Sequence, residues 1–158
     1  MGILRSAGPH PLGWKGALLS WVPALAWGGY VFWLLSYPVG GGPKPWALGW
    51  AMNLGHAFLF GVQALLLLPP LLLWGLSWEK ASFLAWLLSS LWAGAEEIIQ
   101  LGVPGRSGSL LDFFTGSLGA LFALRALWLF LTGESPSRLE GLLFFLVLLS
   151  GTLATFLG

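Results

Sequence analysis

The chain contains no cysteine and almost no charge: of 158 residues, only 8% are Asp, Glu, Lys or Arg. The first absence excludes disulfides, thiolate nucleophiles and thiolate metal sites, and leaves the redox compartment open. The second excludes an ordinary water-soluble domain, whose surface of this size needs far more charge. No run of Lys or Arg exists and the net charge is only +1. Nucleic acid therefore has no electrostatic footprint to bind. Walker loops, dinucleotide fingerprints, HExxH pairs and nucleophile elbows are also missing. What is present is apolar: 57% hydrophobic residues, 11 Trp and a mean hydropathy of +0.83. The solvent for most of this surface is expected to be lipid.

A membrane span needs roughly 20 apolar residues. Five stretches qualify, at about 17 to 37, 47 to 74, 81 to 101, 111 to 132 and 139 to 157. The expected fold is all-α, a polytopic bundle of about five transmembrane helices forming a single domain over residues 1 to 158. Its breaks are the Gly- and Pro-rich segment from Pro38 to Pro45, the polar turn Ser77-Trp78-Glu79-Lys80, the Gly- and Ser-rich loop from Gly102 to Ser109, and Gly133 to Arg138. The second stretch is too long for a straight crossing. Pro69-Pro70 falls where a kink or an early end would shorten it.

The first fifteen residues carry Arg5, His10 and Lys15, with Pro9 and Pro11 against helix formation, and resemble a cytoplasmic arm rather than a cleaved signal. With that end inside, Arg5, Lys15, Lys80 and Arg138 are cytoplasmic, Lys44 and Arg106 are external, and Arg125 can snorkel inward.

This orientation assigns the polar residues a depth. Asn53 and His56 fall in the outer half of the second stretch; Glu96, Glu97 and Gln100 fall in the last outer turns of the third. Arg106, Ser107 and Ser109 lie in the following loop, and Asp112 opens the fourth stretch. Ionised groups within a membrane are costly and normally face a bundle interior or a water-filled cavity. At about 100° per residue, Glu96 and Gln100 are ~40° apart and Glu97 and Gln100 ~60° apart, so all three can face one cavity, with Ser89 and Ala93 continuing deeper. Asn53, His56, Phe60 and Gln63 make a second stripe. Each residue also has a plainer reading. The glutamates can be snorkelling terminal residues, and Asn53, His56 and Gln63 can be interhelical glue. Arg106 can anchor at head groups, and Asp112 can cap its helix. Gly116, Gly119 and Ala123 read as a close-packing face.

The combined pattern Asn53-Leu54-Gly55-His56-Ala57-Phe58-Leu59-Phe60-Gly61, Glu97-Ile98-Ile99-Gln100, Pro104-Gly105-Arg106, Asp112 and Gly119-Ala120 resembles the VanZ-like family of small bacterial membrane proteins, over about Ala47 to Leu124. Two positions depart from it: Met52 and Asn53 replace the acidic-basic pair that often precedes the His, and Gly116 stands where Asn is frequent. The resemblance implies a bacterial cell-membrane protein in a cell-envelope or teicoplanin-resistance context. It also implies a fold proposed to be shared with enzymes that exchange or hydrolyse lipid head groups, phosphatidylserine synthases among them.

From these residues a lipid head-group hydrolase or transferase is expected, acting on a lipid-linked phosphate at the outer leaflet. His56 or Glu97 would be the general base, and Arg106 with Ser107 and Ser109 would hold the phosphate. Gln100 and Asn53 would orient substrate beside Glu96, and Asp112 would fix His56 or Arg106. The alternative is a non-catalytic membrane protein that binds a lipid head group, a glycopeptide or a partner protein through the same pocket. A divalent metal on His and carboxylates is chemically feasible, but no ligand spacing specifies one. A transmembrane proton path fits poorly, because the inner halves of the helices are nearly all apolar.

Overall fold

The computed structural model describes residues 13–38 and 45–157. The expected N-terminal arm with Arg5 and His10, and the loop residue Lys44, lie outside the described residues. Among the described residues there are six helices: α1 (Gly13–Leu19), α2 (Val22–Ser36), α3 (Trp46–Leu73), α4 (Trp78–Gln100), α5 (Leu110–Thr132) and α6 (Arg138–Leu157). Among the described residues there is no strand.

Two expectations need correction. The first apolar stretch is broken at Ser20-Trp21, where Pro23 sits in the first turn of α2. Proline has no N–H to continue the ladder from α1, and the Ser20 hydroxyl donates to the Ala17 carbonyl at 2.7 Å. In the second stretch the prolines do not end the helix early. α3 runs through Pro69 and Pro70 to Leu73 over 28 residues, about 42 Å at 1.5 Å per residue. Each proline forfeits its own bond, to the carbonyl of Leu65 or Leu66, yet the helix continues to Leu73.

Among the described residues, four helical stretches are long and apolar enough to cross a membrane: Gly13–Ser36, Trp46–Leu73, Leu110–Thr132 and Arg138–Leu157. The expected count was five. The remaining helix, α4, has 23 residues and sufficient length, but carries Glu79, Lys80, Glu96 and Glu97. Glu79 and Lys80 are exposed in its first turn, and the other two charged residues lie on its buried face: Ala81, Ala85, Ser89, Ala93, Glu96, Glu97 and Gln100 all point inward. Large apolar chains, including Trp33, Phe58, Leu91 and Phe130, instead cover the outside of the bundle.

α3 is the central helix. It packs most extensively on α5, with α4 and α6 beside that pair and α2 against α3 and α4. The close α3–α5 approach depends on missing side chains. A Cβ on Gly119 would lie 2.4 Å from the Ala57 backbone, and one on Gly116 would lie 2.6 Å from the Phe60 ring. Small residues at such positions let helix backbones meet, which is the main source of association when lipid is as apolar as the helix. Gly119→Ala is therefore expected to destabilise the fold by about 1–3 kcal/mol, the usual range for overpacking. Gly29→Ala, where a Cβ meets nothing within 4 Å, serves as the control. Thermal unfolding of both variants in detergent checks this; equal midpoints would refute the close approach.

From α2 onward, successive helices alternate in direction, α1 running on into α2. The C-terminal ends of α2, α4 and α6 and the N-terminal ends of α3 and α5 consequently share one end of the bundle, as the bonds Arg106 to Leu34 and Asn53 to Thr155 attest. Towards the other end, Arg125 of α5 donates to Glu140 of α6 at 3.0 Å, and Glu140 also reaches back to the Ser137 N–H at 2.7 Å. Ser137 and Glu140 form the reciprocal cap expected of a Ser-x-x-Glu start. Arg125 is thus held by an acidic partner. That interaction was not anticipated.

Candidate functional site

The site forms at the shared end, from α3, α4, the loop after α4 and the start of α5. Its floor is Phe60, which is fully buried. The ring packs where Gly116 leaves space, and the Ser89 hydroxyl donates to the Phe60 carbonyl at 2.8 Å. One turn above, His56 stacks on Phe60 with ring centroids 6.3 Å apart. This places the imidazole against α4.

There His56 meets Glu97, with Nε2 and Oε1 3.7 Å apart. Asp112 joins them from α5: one ligand atom from each of the three residues lies within 4.8 Å of the others. The loop arranges this cluster through Ser109. Its N–H donates to Glu97 Oε2 at 2.7 Å, and its Oγ accepts from the Asp112 N–H at 3.3 Å. Ser109 is thereby the N-cap of α5 and the brace of Glu97 at once. The helix start also favours the negative charge of Asp112.

Beside the cluster is a cavity of about 400 Å³, lined by Asn53, His56, Gln100, Arg106, Ser107 and Asp112, with Leu34, Leu35, Met52 and Leu59 as apolar wall. Arg106 is fixed over it by α2: its Nε donates to the Tyr37 carbonyl at 3.2 Å and its Nη2 to the Leu34 carbonyl at 2.9 Å. Those carbonyls belong to the unsatisfied C-terminal end of α2, so the guanidinium caps that helix. Two of its five N–H donors are used, and among the described residues the other three have no partner. Partial burial draws the Arg106 pKa below its ordinary value, against the opposing pull of the Glu97 and Glu96 carboxylates. A guanidinium remains charged under such a shift.

The predicted residues thus divide. His56, Gln100, Arg106, Asp112, Asn53 and Ser107 meet at one cavity, and Glu97 touches it through His56. Ser109 does not line the cavity and acts on Glu97 and Asp112. Glu96 is also absent from the lining. It is 1% exposed, with neither oxygen hydrogen-bonded among the described residues, and Arg106 is the cation that acts on it. Asn53 lines the cavity yet commits its amide to Thr155 of α6 at 3.1 Å. Gln63 is glue, donating to the Ala24 carbonyl of α2 at 3.3 Å.

Sequence reasoning missed the carbonyls of Leu34 and Tyr37, which carry no side-chain signal. It also missed an apolar groove of about 740 Å³ between α4 and α5, lined by Trp86, Leu91, Ile98, Leu101, Leu110 and Phe113, with Glu97 and Ser109 in its wall. The alternation of apolar residues and glycine on α4 was its only trace.

Comparison of the chain with family models, with curated proteins and with solved structures finds no match.

Proposed function

We propose that the protein is a multi-pass membrane protein of the VanZ-like type, with about five spans, a cytoplasmic N-terminus and a site at the outer leaflet, that hydrolyses or transfers a lipid-linked phosphate or head group. The observation carrying this reading is the convergence of His56, Glu97 and Asp112 within 4.8 Å, beside a cavity overlooked by the spare donors of Arg106. A proton acceptor and a phosphate-holding fork at one cavity are the two parts such chemistry requires.

In this reading the lipid phosphate enters the cavity and takes hydrogen bonds from Arg106 and Ser107. Glu97 or His56 removes the proton from the attacking water or hydroxyl as its oxygen bonds to phosphorus; the phosphorus–oxygen bond to the leaving alcohol or phosphate breaks, and the departing oxygen takes up that proton. Gln100 and Asn53 orient the head group, while Ser109 positions Glu97. The groove on the far side of Glu97 is apolar and suits a hydrocarbon chain, which favours a lipid over a soluble phosphate.

The reading is tested by reconstituting the purified protein in bilayers with a panel of phospholipids and polyprenyl-phosphate intermediates, followed by mass spectrometry of the products. Conversion of one class is expected. Binding without conversion, under varied metal conditions, would select the non-catalytic binder of a lipid head group, glycopeptide or partner. Sidedness is tested separately, since a chain without cysteine is a clean background for single-cysteine labelling. Ser107→Cys should react with an impermeant maleimide in intact cells and Lys80→Cys only after permeabilisation, both positions being exposed. The reverse pattern would place the site inside.

A further inference from the structure

We propose that His56, Glu97 and Asp112 bind one divalent cation of the zinc and manganese class, whose remaining coordination positions open on the cavity beside Arg106. This rests on the head-group reading only for its use: with a cation bound, His56 and Glu97 would be its ligands, and the proton acceptor would be a water whose pKa the cation lowers; the ion site itself stands on the geometry below.

His56 Nε2 and Glu97 Oε1 are 3.7 Å apart, too far for a hydrogen bond. Two ligands of one ion are expected at such a spacing: bonds of ~2.0–2.1 Å in tetrahedral geometry put donor atoms about 3.4 Å from each other. Asp112 supplies a third atom within 4.8 Å of both. Contraction of about 0.3 Å for the His56–Glu97 pair and of at most about 1.4 Å for Asp112, by these flexible side chains, closes the set.

A second observation points to a ligand. His56 is only 6% exposed, yet among the described residues neither ring nitrogen has a hydrogen-bond partner, and Glu97 Oε1 and Asp112 Oδ1 are in the same condition. Buried polar atoms are normally paired. Nε2 and Oε1 face each other at 3.7 Å, and a carboxylate oxygen of Asp112 lies within 4.8 Å of the pair's ligand atoms. One cation would satisfy one atom of each residue at once, and it would offset the two carboxylates held together in an apolar bundle.

The surroundings have the form of a supported metal site. Ligating carboxylates are usually held by hydrogen bonds of their own, and Glu97 receives the Ser109 N–H on the oxygen that does not face His56. The imidazole is held against Phe60, with backbone acceptors of Met52 and Asn53 beside it but outside good hydrogen-bond geometry. One imidazole and two carboxylates suit zinc or manganese; magnesium favours oxygen ligands and retained water. Three protein ligands leave an open position, as in catalytic rather than structural sites. A phosphate oxygen entering beside Arg106 would complete the coordination.

The test uses the purified full-length protein in detergent, stripped with a chelator. Mn²⁺ binding is followed by electron paramagnetic resonance and Zn²⁺ content by elemental analysis after dialysis. One equivalent per chain is expected, with affinity reduced more than about 100-fold in Asp112→Asn and Glu97→Gln, beyond the usual effect of losing a supporting contact. No binding by the wild type, or binding unchanged in both variants, would overturn the site. A measurement on the wild type alone guards against variants that misfold: Mn²⁺ should raise the thermal midpoint where equimolar Mg²⁺ does not, and no rise would count against the proposal. Binding of an anionic phospholipid in chelator is measured in parallel. If it depends on Arg106 while no metal binds, the cation inference falls and the head-group reading stands; if neither binds, both fall.

Discussion

Glu97→Gln is expected to lower turnover of the lipid-linked phosphate by about 10²–10⁴-fold, the range that a positioned general base contributes, with little change in substrate affinity. The substitution is nearly isosteric. The glutamine oxygen can still accept the Ser109 N–H, now held by Glu97 at 2.7 Å, so the loop and the start of α5 keep their anchor. What disappears is the carboxylate charge 3.7 Å from His56, which is the proton acceptor of the metal-free site and a ligand when a cation is bound. A group used only as the reaction proceeds lowers kcat and kcat/KM together, whereas a group that merely binds substrate raises KM. Steady-state kinetics on reconstituted protein separates the two. Unchanged kcat would remove Glu97 from the chemistry and leave the base role to His56.

Arg106→Lys is expected to weaken binding of a phosphate-bearing lipid by roughly 10- to 150-fold, the equivalent of one charge-assisted hydrogen bond of ~1.5–3 kcal/mol. Lysine keeps the charge but not the fork. In the native loop one side chain spans two tasks: it donates to the Leu34 and Tyr37 carbonyls and still presents three N–H groups near the cavity. An ammonium has three donors in all and cannot do both. Binding of diacylglycerol, which lacks the phosphate, should be unaffected; isothermal titration with the two lipids gives the comparison. Equal loss for both lipids would mean that Arg106 only shapes the loop. Arg106→Ala should lose more, because it also removes the cation acting on buried Glu96.

The two effects arise from residues that neighbouring elements restrain in different ways. Glu97 is set by the Ser109 N–H, 12 residues later across the turn after α4, whereas Arg106 is set by carbonyls at the end of a helix 69 to 72 residues earlier. Loss of the α2 contact should therefore loosen Arg106 without displacing Glu97.

Much of this arrangement is legible in the residues. The apolar stretches follow from composition, because a chain with 8% charge must cover itself with apolar side chains. Which residues share a face follows from the 3.6-residue repeat. Ser89, Ala93, Glu96 and Gln100 are all buried along α4, and His56, Phe60 and Gln63 are all buried along α3, as that repeat implies. The small face of α5 at Gly116 and Gly119 is equally direct, since only an absent side chain permits such close approach.

Tertiary structure alone decided the rest. Periodicity defines a stripe but not how far each helix is rotated against its neighbours, so it could not say that Glu97 would meet His56 while Glu96, one residue earlier, turns away from the cavity lining. Nor could it show that Ser109 spends its polar atoms on Glu97 and Asp112, that Asn53 reaches Thr155, or that the carbonyls of α2 hold Arg106. Backbone carbonyls are identical at every position, and only packing determines which remain free at a helix end. Scarcity of charge and the long apolar stretches determined a fold of helices long and apolar enough to cross a membrane; the meeting of His56, Glu97 and Asp112 was decided by packing across three helices, which no local pattern records.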